Sequence, residues 1–192
     1  MGGSYDRADS AEPTAALSVA KRREIYQAVE RSPEFRKATN DYKKVVATAA
    51  SRILYEEDPQ RDVMEVLHYR YDDGKTIRTL FNAADNKSIK TEELEAYPTP
   101  LADEELEQAK KLARSQEKRV NDLFVRHEEE EVTVRALAPV ISDRKNKLYG
   151  KRLAILRYMP MGKPAEAVTV EVNLTDGVVL PSERDESKKD AK

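Results

Sequence analysis

Cysteine is missing from this 192-residue sequence, and histidine occurs only twice, at His68 and His127. Without cysteine the chain has no disulfide, no thiol nucleophile and no thiolate metal site. Glycine is scarce, with six residues, and none falls in the spacing of a phosphate-cradling loop. Serine, histidine and aspartate show no recognisable nucleophile context. No apolar run approaches the roughly 20 residues that a membrane-spanning helix needs. Met1 to Glu12 carry no apolar signal core, and Asp6 stands where a myristoylation signal wants Ser or Thr. The expectation is a soluble chain with no membrane partner. Met1-Gly2-Gly3-Ser4 reads as an expression remnant, so the compartment stays open. A dominant charge is absent too: 34 Lys and Arg against 36 Asp and Glu leave a net charge of −2. Lys21-Arg22-Arg23 lacks an aromatic platform and is diluted by Glu24 and Glu30, so no nucleic-acid partner is expected.

What is there is 39% apolar and 36% charged, a balance that still suits globular domains. The local signals come twice in the same order, a helical segment and then alternating strands, over residues 17–96 and 101–181. Arg31-Ser32-Pro33-Glu34 answers Arg114-Ser115-Gln116-Glu117, and Arg70-Tyr71 answers Arg157-Tyr158. Units this small bury a modest share of their surface, so packing against each other would help both. Tyr97-Pro98-Thr99-Pro100 reads as a short stiff linker, because two prolines so close together continue neither ladder nor helix. Residues 1–16 and 182–192, small-polar and charged respectively, read as disordered.

In the first unit, Ser18 caps a helix with Ile25, Ala28 and Val29 on one face, and Ser32-Pro33 starts a second. Val45 to Tyr55 is ambiguous between strand and helix, whereas Val63 to Tyr71 alternates as a strand. Asp72-Asp73-Gly74 turns the chain into a strand carrying Ile77, Thr79 and Phe81, and Asp85-Asn86-Lys87 leads to a short one near Ser88-Ile89-Lys90. In the second unit, Asp103-Glu104-Glu105 places acids in a first helical turn, where the dipole favours them. Leu106, Ala109 and Ala113 form that helix's buried stripe, and Arg119 to His127 is a short helix or turn. Strands follow at Val132 to Val140, Arg152 to Tyr158 and Ala167 to Leu174, with Asp176-Gly177 turning into Val178 to Leu180. Helices followed by strands joined through tight turns imply α+β units with antiparallel sheets.

Tyr97-Pro-Thr-Pro-Leu-Ala-Asp-Glu-Glu-Leu-Glu-Gln-Ala-Lys-Lys-Leu-Ala resembles the opening of an N-terminal domain of copper amine oxidases. Tyr69-Arg-Tyr-Asp-Asp-Gly-Lys with Leu80-Phe81-Asn82 and Asp85-Asn86-Lys87-Ser88-Ile89 is similar to that family's preceding hairpin. Ala154-Ile-Leu-Arg-Tyr with Val170-Glu-Val-Asn-Leu-Thr-Asp-Gly-Val-Val is similar to the closing hairpin of its next domain. Ala102 stands where the family has a capping hydroxyl. The resemblance implies two tandem cystatin-like domains, over residues 17–96 and 101–181 with the linker at 97–100, and no catalysis. The family's chemistry needs a tyrosine in an Asn-Tyr-Asp or Asn-Tyr-Glu context and three copper-binding histidines. Neither occurs here, so no catalytic residue, metal ligand or cofactor is carried over. The Gln-x-Val-x-Gly hairpin of cystatin-type peptidase inhibitors is also missing after Gln27, Gln60, Gln108 and Gln116.

His68 has no evident partner in its strand, and the acids Glu128 to Glu131 after His127 are consecutive and so cannot share one face. Arg70, Tyr71, Arg157 and Tyr158 are the candidate interface residues: Tyr and Arg are the types that dominate binding hot spots. The plain alternative keeps each tyrosine in the core and each arginine in a surface ion pair. The expected function is binding or assembly with a protein partner or a second copy. The rival is a small enzyme or ligand carrier using a concave sheet face as a pocket, and a third reading is a degenerate or truncated oxidase relative.

Overall fold

A computed structural model describes residues 17–53 and 62–181. The expectations placed on residues 1–16, 54–55 and 182–192 lie outside the described residues. Ser18 caps α1 (Val19–Glu30) by accepting from the Lys21 amide, and Ser32 caps α2 (Pro33–Thr39) by accepting from Phe35. Four strands follow: β1 (Val45–Ile53), β2 (Val63–Arg70), β3 (Lys75–Asn82) and β4 (Lys87–Leu94). They form one antiparallel sheet in the order β1-β2-β3-β4. The order then repeats with α3 (Asp103–Gln116), α4 (Lys118–Arg126), β5 (Val132–Leu137), β6 (Leu153–Pro160), β7 (Val168–Asn173) and β8 (Val178–Val179). The second sheet is antiparallel in the order β5-β6-β7-β8. No strand pairs across the two sheets among the described residues. The fold is α+β.

In the first half, Ile25 and Val29 of α1 and Phe35 of α2 bury against Met64, Val66, Ile77 and Phe81. Each such side chain contributes about 1.5–3 kcal/mol of burial. In the second half, Ala109 and Ala113 let α3 lie close to its sheet, and Val120 and Leu123 of α4 join Leu156, Val170 and Val172. Tyr69 and Tyr71, from β2 and its end, belong to this second core, so the first sheet lends its far face to the second half.

Three elements differ from expectation. β4 runs eight residues, beyond the three anticipated, because its ladder comes from β3 and its Lys and Glu residues suit an exposed edge. β5 stops at Leu137, two residues before Pro139, which has no amide to continue a ladder. The linker at 97–100 is held at its centre: Thr99 is buried under the guanidinium of Arg152.

Candidate functional site

A buried polar network lies where the two halves meet. Asp103-Glu104-Glu105 opens α3, and the third acid falls four residues before Ala109 and eight before Ala113, on the buried stripe. Glu105 is therefore internal, at 3% exposure. Its carboxylate accepts from Arg152 Nε at 3.0 Å and Nη2 at 2.7 Å, from the Tyr71 hydroxyl at 2.6 Å and from the Ala102 amide at 2.9 Å. Arg152 also donates to Thr99 Oγ1 at 2.8 Å, to the Thr99 carbonyl at 3.2 Å and to the Pro100 carbonyl at 2.5 Å. All five of its N–H groups are used, and its guanidinium lies 4.6 Å from the Tyr69 ring centre. Burial pushes the Glu105 carboxyl up, but Arg152, Tyr71 and the Ala102 amide outweigh it and hold it below the usual carboxylate range. Burial pushes the Tyr69 phenol up to about 12, and burial with the Glu105 carboxylate raises Tyr71 further.

Beside this network the main chains of the two halves touch. Gly74 has φ +71°, and a Cβ there would lie 2.5 Å from the Gly150 Cα and 2.7 Å from its carbonyl carbon. Only glycine fits that approach. The Tyr69 hydroxyl donates to the Gly150 carbonyl at 3.2 Å. A cleft of about 280 Å³ opens next to the contact, lined by Lys75, Glu95, Tyr97, Arg144 and Tyr149, with Glu95 paired to Arg144.

The four residues singled out from the sequence do not line equivalent surfaces. Arg70 points to the helix face of its sheet and is fully buried. It donates twice to Asp73 (2.8 and 2.6 Å), twice to Glu93 (3.1 and 2.9 Å) and once to the Ala38 carbonyl (2.7 Å), against the Tyr42 ring. Tyr71 points to the opposite face, onto Glu105. In the second half the faces are exchanged: Tyr158 lies in the helix-covered core with Phe124, and Arg157 is exposed. Arg70-Tyr71 closes β2 whereas Arg157-Tyr158 sits inside β6, and an offset of one residue flips every side chain. The plain reading thus holds for Tyr158 in the core, while Arg157 is at the surface without, among the described residues, the ion pair that reading gave it. For Arg70 the ion pair is internal.

His68 lies in the first core, its ring 4.4 Å from Phe35 and 6.0 Å from Tyr26, and neither ring nitrogen has a hydrogen-bond partner. His127 meets Glu166 at 3.1 Å, while Glu129 to Glu131 form an exposed turn of 3-10 helix. Among the described residues, no three His, Asp or Glu are grouped to hold a metal ion, and no helix is long and apolar enough to cross a membrane.

A groove of about 750 Å³ runs along the free edge of β1. α1 forms one bank with Val19, Arg22, Arg23 and Tyr26, and the segment Pro100 to Glu104 forms the other. Tyr71 donates its amide to the Lys44 carbonyl, and antiparallel pairs alternate, so the main-chain polar groups of Val45 and Ala47 face the groove. The acidic bank is fixed by the internal network, because Glu105 anchors the start of α3 to the end of β2. Sequence reasoning missed Glu105, Arg152 and this groove. The four-residue spacing to Ala109 was the one available signal for Glu105.

A scan against protein-family models finds no match to this chain, and a search of curated proteins finds none either.

Proposed function

We propose that the chain is a non-catalytic binding protein of two cystatin-like domains, related to the N-terminal domains of copper amine oxidases, and that it takes up an extended strand of a protein partner along β1. The observation that carries this reading is the open β1 edge at the floor of a two-banked groove. An exposed strand edge offers a row of unpaired main-chain groups, and an added strand satisfies them. Successive side chains of that strand point to opposite faces. One face meets Arg22 and Arg23, the other Asp103 and Glu104. The preferred partner strand therefore alternates acidic and basic residues. Against the rival of a concave-sheet pocket, His68 lies on the helix side of its sheet, and the buried carboxylate of Glu105 is committed to Arg152.

The test uses labelled peptides in which Glu and Lys alternate at successive positions, so that one strand face is acidic and the other basic, read by fluorescence anisotropy. Binding is expected with the native chain and lost in Ala47→Pro, which removes one groove-facing amide without cutting the β2 ladder. Peptides that bind both proteins equally, or neither, sink the strand-uptake reading. A quinone absorbance or stoichiometric copper on the purified chain would overturn its non-catalytic part.

A further inference from the structure

Tyr158 is 2% exposed, and its hydroxyl is buried without a hydrogen-bond partner. A native fold rarely leaves such a group unsatisfied unless something else supplies the partner. The residue is part of the wall of a cleft of about 240 Å³ between α3, α4 and β5. Phe124, Val132 and Val134 give that cleft apolar sides, and Lys110 and Arg114 bring two cations to it. The Arg114 guanidinium lies 4.4 Å from the Phe124 ring centre, and Phe124 meets Tyr158 edge to face at 5.9 Å. The carboxylates nearest these cations are loosely held at the surface. Glu129 is 3.6 Å from Arg114 and 74% exposed, and Glu107 pairs with Lys110 while 70% exposed.

We propose that this cleft binds a small aromatic carboxylate. The ring lies against Phe124 and the two valines, and the carboxylate displaces Glu129 to take hydrogen bonds from Arg114 and the Tyr158 hydroxyl. Size permits it: a cavity of about 150 Å³ accepts benzene, so the volume here leaves room for one ring and a charged substituent. Charge selects it, because bonds from a guanidinium to a carboxylate in a partly dry site are about twice as strong as neutral ones. Burial pushes the Tyr158 phenol up to about 12, so at neutral pH it is a donor and repels no anion.

Benzoate and its neutral analogue benzamide are the probes, titrated into the full chain while the methyl resonances of Val132 and Val134 are followed. Benzoate should shift them saturably and bind at least about tenfold more tightly than benzamide. Tyr158→Phe and Arg114→Gln should each weaken benzoate about tenfold. Neither variant threatens the fold, since one deletes an unpartnered oxygen and the other changes a half-exposed side chain. Ala47→Pro should bind benzoate normally, which separates this site from the β1 groove. No saturation by about 10 mM benzoate, equal affinity for benzamide, or unchanged affinity in both variants overturns the proposal.

Discussion

At the scale of single residues, Arg152 and Arg157 sit five positions apart on the same chain and have opposite consequences. Arg152 neutralises a carboxylate that is 3% exposed, so its loss leaves a buried charge without its counterpart. Arg152→Met should cost about 3–5 kcal/mol of stability in urea titrations. Arg157→Ala, at an exposed position, should change stability by no more than about 0.5 kcal/mol. Equal effects would show that the Glu105 network is not what holds the halves together. Sequence alone could not separate the two arginines. Composition shows a positive charge next to apolar residues in both places, whereas burial depends on Thr99, Pro100 and Glu105 arriving from 47 to 53 residues away. Glu105 was hidden for a related reason: three consecutive acids at a helix start already have a sufficient explanation in the dipole.

At the scale of elements, the strongly periodic pieces were legible and the polar ones were not. Val168, Val170, Val172 and Leu174 alternate and are all buried, and both serine-proximal words mark a helix–helix corner, at Ser32 before α2 and at Glu117 before α4. The full length of β4 escaped because Lys87 to Leu94 carries little apolar patterning, and a strand at a sheet edge needs none on its outer side. The matched Arg-Tyr words misled for a geometric reason, since period two makes a one-residue shift equal to a change of face. α3 offers a direct test of local stability. Its N-cap, Ala102, has the extended backbone of a capping residue but no acceptor, and only the reciprocal bond from its amide to Glu105 is made. Ala102→Ser should stabilise the chain by about 1 kcal/mol in thermal melts. A loss would mean that the buried site cannot accommodate the hydroxyl.

At the scale of the whole molecule, the repeated order of elements and the two separate sheets agree with what the sequence implied, while the joint between the halves was invisible to it. That joint makes pH dependence a reporter of association between the halves. The Glu105 carboxyl is held below its ordinary value, so its contribution is complete above that value and fades as pH falls below about 4. The Tyr69 phenol is raised from 10.0 to about 12, so its contribution is complete below pH 10 and fades as pH climbs towards 12. Calorimetry should record one cooperative transition near neutral pH, lowered at both extremes. Two separate transitions at neutral pH would show the halves to be independent. The meeting of Gly74 and Gly150 adds a mechanical consequence. Because no side chain stands between those turns, nothing there can rotate to absorb a change in length. The pair behaves as a butted joint rather than a hinge, and one extra residue in either loop would force the halves to gape along their whole common boundary.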